Sequence, residues 1–390
     1  MNAAEKKILI VGTESDDPFA IDVGAFCRQE TDIADLMSLK TFANSEFCPR
    51  FISNEKDLDD IGHRLRDTIV VVVSTGSSQN SRNELAWRNM LIARSAKDNG
   101  AEKVLLVEPD LFFSAQDRGP RPDHGQIDRE RDISDYKKFD GQPFTSMLYA
   151  QSLALSGIDA VITVHNHSTS VQRLFKLQMR DGFKNLNPAE VFADYIRSST
   201  VAPSLHSGKG LLMCAPDRGA REFVKGVHEK LAAPGAGLLY IAKQRTGERS
   251  VSSFVDDESP SPVDAIAGRD VIVFDDMVRT GGTIKECCRL IKEAGAGRVV
   301  FFVTHFYSSS EVRENLHNPV LDEIVTTNTI PCILNRDMQG RLRRKMTVLK
   351  LEKWISRYVL EFLERGSDHL DPPLYTVDMS SKNPRWRAAN

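Results

Sequence analysis

Short, wholly apolar runs alternate with longer amphipathic stretches along most of this chain, and few folds accommodate that rhythm. Lys7–Val11, Thr68–Ser74, Lys103–Val107 and Ala160–Val164 end abruptly at Gly, Ser, Pro or His and read as buried strands. Asn83–Asp98 and Thr145–Ser156, between them, repeat apolar residues at three- and four-residue spacing, as helices packed on a sheet do. The pattern then restarts, with strands at Gly210–Ala215, Gly237–Ala242, Asp270–Phe274 and Arg298–Thr304, and helices at Ala220–Leu231 and Thr283–Ala294. Such alternation predicts an α/β chain whose mainly parallel sheets carry helices on both faces. Two rounds of it predict two tandem domains, residues 1–188 and 189–368, followed by a tail over 369–390.

The 390 residues are enough for two such domains. With 41% hydrophobic and 27% charged residues the chain is not wholly disordered. Lys plus Arg number 51 against 54 Asp plus Glu, and this near balance argues against a nucleic-acid backbone as main partner. The apolar runs fall far short of the ~20 residues a membrane-spanning helix needs. The opening MNAAEKKILIVGT has no signal-peptide architecture, and six cysteines show neither disulfide nor metal spacing. A reduced, cytoplasmic enzyme without membrane contact is the expectation.

Three stretches break the rhythm. Gly119–Gln142 is rich in charge, Pro and Gly and reads as a long loop; its charges (Asp123, Asp128, Arg129, Glu130, Arg131, Asp132) form either a lid or a solvated surface. Ser250–Pro262 reads as a hairpin or mobile loop, and Leu351–Arg365 as an amphipathic helix before the tail.

The most specific segment is Asp270–Thr283, DVIVFDDMVRTGGT. A buried strand leads into two adjacent carboxylates, then a turn with two glycines opens a helix. Strand ends of parallel sheets are where ligands bind. A Thr-Gly-Gly-Thr turn aims backbone N–H groups and hydroxyls at a phosphate, aided by the helix dipole. Asp275 and Asp276 beside it suit sugar hydroxyls or a magnesium ion. The bland alternative is a generic strand–turn–helix with an acidic end.

FDDMVRTGGT resembles the phosphoribosyl-pyrophosphate (PRPP) motif shared by phosphoribosyltransferases and ribose-phosphate pyrophosphokinases. Further segments resemble the pyrophosphokinases in family order: Phe42–Glu46 (FANSE), Phe113–Arg118 (FSAQDR), His165–Phe175 (HNHSTSVQRLF), Cys214–Ala220 (CAPDRGA), Lys243–Arg245 (KQR) and Val325–Pro331 (VTTNTIP). Together they span nearly the whole chain, and simple phosphoribosyltransferases lack the N-terminal set. The resemblance implies two phosphoribosyltransferase-like domains, ATP served by the first and ribose 5-phosphate by the second, Mg2+ as cofactor, and a homo-oligomer. It implies transfer of the ATP diphosphoryl group to the 1-hydroxyl of ribose 5-phosphate, giving PRPP and AMP. Two alternatives are a catalytically weak regulatory paralogue and a diphosphokinase with another sugar phosphate or nucleotide.

Carried over by resemblance, Thr280, Gly281, Gly282 and Thr283 hold the 5-phosphate, Asp275 and Asp276 take the ribose hydroxyls, and Asp217 helps bind sugar and metal. A helix N-cap is the other reading of Asp217. Lys243 and Arg245 are the catalytic cations for the transferring phosphates; solvated strand-end charge is their plain alternative. His167 meets the metal or donates to an ATP phosphate. Phe42, Asn44 and Glu46 face the adenosine, with a core Phe as the alternative, and Gln116, Asp117 and Arg118 contact the nucleotide. The chain departs from the pattern at Ser45 (usually Gly), Ala115 (usually Arg), His165 (usually Asp) and Arg279 (often Asp), where a cation is added beside the 5-phosphate turn. Arg118, Arg121 or a basic residue of the following loop is the candidate to replace the missing Arg at 115. Arg343, Arg344 and Lys345 read as solvated charge.

Overall fold

The computed structural model describes residues 6–52, 58–77, 79–125, 130–245 and 251–378, with backbone alone for 243–245 and 251–253. They form two compact units, Met1–Leu186 with Glu352–Leu370, and Asn187–Leu351 with Asp371–Asn390. Among the described residues no helix is long and apolar enough to cross a membrane, and the six cysteines are free thiols.

In the first unit β1 (Lys7–Gly12) is followed by a separate antiparallel hairpin, β2 (Met37–Thr41) and β3 (Phe47–Phe51). The strands β4 (Thr68–Val73), β5 (Lys103–Val107), β6 (Ala160–Val164) and β7 (Phe183–Leu186) complete an all-parallel sheet in the order β1-β4-β5-β6-β7. Its central strands are continuous apolar runs because helices cover both faces. Helix Arg82–Asp98 starts one residue before the expected Asn83, fixed by a reciprocal cap between Ser81 and Glu84. Helix Thr145–Ser156 has the expected bounds and ends at Gly157 in the left-handed region, φ 100°.

The second unit begins its sheet with β8 (Leu211–Ala215), then β9 (Ala236–Arg245) and β10 (Val251–Val255). It continues with β11 (Asp270–Val278), β12 (Val299–Phe306), β13 (Glu323–Thr327), β14 (Met346–Lys350) and β15 (Thr376–Asp378). The order is β10-β9-β8-β11-β12-β13-β14-β15, parallel except at the two edge pairs. Chain progress therefore reverses between β8 and β11, one neighbour leading back to β9 and the other on to β12. That reversal opens a crevice beyond the carboxyl ends of β8 and β11.

The structure differs from the sequence reading at the C-terminus. Helix Glu352–Phe362 belongs to the first unit, where its buried face (Trp354, Ile355, Val359, Leu360) packs against helix Pro18–Phe26. The expected tail contributes β15, which pairs with β14. Ser250–Pro262 supplies β10, the return strand of a hairpin with β9. Of the basic cluster, Arg344 is exposed as expected, but the other two members are not simply solvated. Arg343 is buried and donates to the Ile333 carbonyl (2.8 Å) and Asp378 (2.6 Å), while Lys345 donates to the carbonyls of Asn318 and Leu321 (both 2.9 Å). Arg343 thereby ties the β13–β14 connection to the β15 edge, and Lys345 ties it to the segment before β13.

Candidate active site

Three acidic residues of the second unit, Asp217, Asp275 and Asp276, lie beyond the shared rungs of β8 and β11. β11 pairs with β8 only through Val273 but with β12 through Val278, so Asp275 and Asp276 lie on strand beyond the last rung shared with β8. This corrects the expected strand end at Phe274. Asp275 Oδ1 accepts from the Asp276 backbone N–H at 2.9 Å. Burial, together with the neighbouring charges of Asp276 and Asp217, holds the Asp275 carboxyl well above the usual carboxylate range. Asp217 follows β8 and caps the turn Arg218–Ala220, its Oδ1 accepting from Gly219 N at 3.0 Å. The capping alternative for Asp217 is thus realised, and its charge still reaches Asp275. Neighbouring carboxylates suit a hard divalent cation with oxygen ligands. Among the described residues no three His, Cys, Asp or Glu side chains are already grouped as a metal cluster, so magnesium held here would draw further ligands from phosphates and water.

The turn after β11 leads directly into a helix whose N-terminus carries no side-chain cap. Gly281 sits at φ 77° as the N-terminal cap of helix Gly282–Glu293, with no side chain capping that end. A Cβ on Gly281 would crowd Leu316 and Asn315 at 3.3–3.4 Å, whereas Gly282 faces open space. The Thr280 carbonyl accepts from Asn315 Nδ2 at 2.8 Å, which pins the turn from behind. Arg279 is exposed, its guanidinium 5.8 Å from the Tyr307 ring centre. Lys243 and Arg245 belong to β9, the neighbour of β8 on the side away from β11, paired in register with Ser253 and Val251. Their side chains lie outside the described residues.

In the first unit FANSE forms the tip of the β2–β3 hairpin. Phe42 N donates to the Glu46 carbonyl (2.8 Å), and Asn44 Oδ1 accepts from Glu46 N (3.2 Å). Ser45 has φ 70°, which accounts for the glycine usual there. Phe42 is 43% exposed, with Lys40 Nζ 5.0 Å from its ring centre, so the alternative of a core Phe is excluded. Asn44 and Glu46 are also exposed.

Phe113–Arg118 follows β5. Gln116 accepts from Thr145, and Asp117 is buried with Oδ2 accepting from Ser168 Oγ at 2.8 Å. Ser168 caps helix Thr169–Met179, and exposed His167 stands just before it. Asn166 fixes that turn, its backbone N–H bonded to Asn185 Oδ1 (2.8 Å) and its carbonyl accepting from Gln172 (2.8 Å). Ala115 is exposed. Arg118, a candidate to replace an arginine there, donates to Asp117 (3.2 Å) and Asp135 (2.8 Å). The interrupting segment is more ordered than a loop, containing helix Ile133–Lys138 capped by Asp132; Asp128 and Arg129 lie outside the described residues.

Sequence reasoning passed over Glu108. It is fully buried and accepts from Phe112 N (2.9 Å), Tyr149 OH (2.9 Å) and Asn89 Nδ2 (3.0 Å), so it fixes the start of the Phe113–Arg118 segment. A charged residue directly after the apolar run KVLLV was the available signal.

Residues 203–333 match the family model described as "Phosphoribosyl transferase domain". The chain is 27% identical over 296 residues to ribose-phosphate pyrophosphokinase 2 of Saccharomyces cerevisiae, covering 76% of this chain and 81% of that one. It is 28% identical over 288 residues to ribose-phosphate pyrophosphokinase of Thermococcus kodakarensis, covering 74% and 86%. The crystal structure of phosphoribosylpyrophosphate synthetase from Mycobacterium smegmatis superposes with a TM-score of 0.69 at 20% identity, over 93% of this chain and 100% of that one. These relatives bear out the resemblance to ribose-phosphate pyrophosphokinases, and the superposition bears out the α/β fold.

Proposed function

We propose that the protein is a ribose-phosphate pyrophosphokinase, joining ATP and ribose 5-phosphate into PRPP and AMP. The observation that carries the reading is the positive-φ Gly281 turn that opens a helix directly after the Asp275–Asp276 pair, with the Asp217 charge beside that pair. A sugar phosphate meets both demands. The backbone N–H groups of the Thr280–Thr283 turn and its hydroxyls take the 5-phosphate. Asp275 and Asp276 accept from the 2- and 3-hydroxyls and so orient the anomeric hydroxyl for attack on the β-phosphorus of ATP. Lys243 and Arg245 stabilise charge on the transferring phosphates, and the bond to the α-phosphate oxygen breaks to release AMP. Magnesium would supply Lewis-acid neutralisation of the phosphate charge; Asp217 in the second unit and His167 in the first are each a candidate protein contact for it. Phe42, Asn44, Glu46, Gln116 and Asp117 serve the nucleotide. Cytoplasmic location and a homo-oligomer complete the reading.

The test mixes purified protein, magnesium, ATP and ribose 5-phosphate and follows AMP and PRPP by chromatography, each component omitted in turn. Equal amounts of both products, dependent on the sugar, are expected. Absence of AMP with ribose 5-phosphate still bound would overturn the assignment.

A further inference from the structure

Resting on the pyrophosphokinase reading, we propose that Arg131 is a positioning residue for the nucleotide side, acting through Asp135 and Arg118 on the segment that carries Asp117. Arg131 is only 4% exposed, unusual for arginine in a charge-rich connection. Its Nε donates to Asp135 Oδ2 (2.7 Å), Nη1 to the carbonyls of Arg121 (3.3 Å) and His124 (3.0 Å), and Nη2 to that of Gly119 (2.8 Å). Four of the five guanidinium N–H groups are thereby used, three on main chain of residues 119–124. The plane lies over Tyr136 and Phe139, 4.2 and 5.6 Å from their ring centres.

Asp135 carries the link onward. Its Oδ1 accepts from Arg118 Nη1 (2.8 Å), and Arg118 Nε donates to Asp117 Oδ1 (3.2 Å). Asp117 Oδ2 accepts from Ser168, which caps the helix behind His167. Burial alone would raise the Asp135 carboxyl, but the Arg131 hydrogen bond and the Arg118 charge hold it below the usual range, so the link is ionic. The 119–125 turn is seated on the same segment: a Cβ on Gly125 would fall 2.5 Å from the Asp117 carbonyl and 2.9 Å from Ser170 Oγ. Arg131 thus fixes three things together: the Asp117 side chain, the turn presenting His167, and the backbone of exposed Arg121.

The test compares wild type with Arg131→Ala, Arg131→Lys and Asp135→Asn. The readouts are KM for both substrates, kcat, thermal melting, and calorimetric binding of a nonhydrolysable ATP analogue with magnesium. Loss of the lock should raise the ATP KM on the order of 10- to 100-fold, with the ribose 5-phosphate KM changed less than about twofold. Lysine at 131 should not rescue, since a point charge cannot grip three carbonyls and a carboxylate. Arg131→Ala and Asp135→Asn combined should be no worse than either alone. Equal rises in both KM values, or a lowered melting temperature with unchanged ATP KM, would overturn the inference. Should Arg131→Ala fail to fold, Asp135→Asn, which keeps an acceptor oxygen, decides by the same criteria. Variants that bind the analogue as tightly as wild type sink this inference alone; a wild type that binds none sinks the functional reading as well.

Discussion

Glu108→Gln should make the first unit's stability less sensitive to pH, and the size of the effect follows from the burial of this carboxyl. Glu108 has no solvent exposure, and burial pushes it up to about 8, against the pull of the Phe112 N–H and the Tyr149 hydroxyl. The folded chain therefore keeps a proton that the unfolded chain releases near 4.5. Stability from this group is fully present below about pH 4.5 and is lost as pH rises to about 8, at roughly 1.4 kcal/mol per pH unit. Of a total near 5 kcal/mol, about 2 kcal/mol is lost between pH 6 and 8. Glutamine retains an acceptor for Asn89 and Tyr149 but turns its amide toward the Phe112 N–H, donor against donor, which costs about 1–3 kcal/mol. At pH 6 the variant should melt below wild type; by pH 8 the gap should shift in the variant's favour by about 2 kcal/mol, roughly 4–8 °C for a unit of this size. Calorimetric melting of both proteins at pH 6, 7 and 8 measures it, all other titrating groups being shared. A gap constant with pH would show that the three donors keep Glu108 ionised, and the burial argument would be wrong.

Three further substitutions probe the site. Thr280→Val should raise the ribose 5-phosphate KM about tenfold, the loss of one charge-assisted hydrogen bond, and leave ATP alone; a change confined to ATP would mean the two substrate sides are reversed. Lys243→Ala should cut kcat by about 100- to 1,000-fold while ribose 5-phosphate binding persists, and collapse of sugar affinity with turnover intact would refute its role. Ser45→Gly should stabilise the hairpin tip by about 1 kcal/mol by relieving a left-handed serine at φ 70°; a melting temperature that falls instead would show that the glycine's flexibility costs more than the strain.

The parts legible in the sequence are those whose physics is local. Strands β4, β5 and β6 are continuous apolar runs because both faces are buried, and their bounds follow almost to the residue. The Asp275–Thr283 segment is legible for a related reason: carboxylates, positive-φ glycine and helix start are contiguous, so one stretch of chain shows the whole pattern. The docking of helix Glu352–Phe362 was not. Its amphipathic face announces that it packs on something, but the partner, helix Pro18–Phe26, lies over three hundred residues away in sequence.

Arg131 and Arg343 show why charge runs mislead more than apolar runs. Both sit among charged neighbours, and both side chains are buried because main-chain carbonyls and an aspartate receive them, Asp135 one helical turn on for Arg131 and the distant Asp378 for Arg343. A buried cation costs several kcal/mol unless all its donors are met. Carbonyl oxygens are present at every residue, so composition does not reveal which guanidinium finds them. The same physics separates Arg118 from Arg121 as replacements at the nucleotide side. Residue identity leaves them equal, but Arg118 is committed to Asp117 and Asp135 and would have to abandon a half-buried ion pair to meet a phosphate. Arg121 is exposed and has its backbone held by another residue's charge, so a phosphate can recruit its guanidinium without breaking that lock. If a cation is needed beside Ala115, the 119–125 turn offers one in Arg121 without the loss of an ion pair, and Arg131 holds the backbone of that turn.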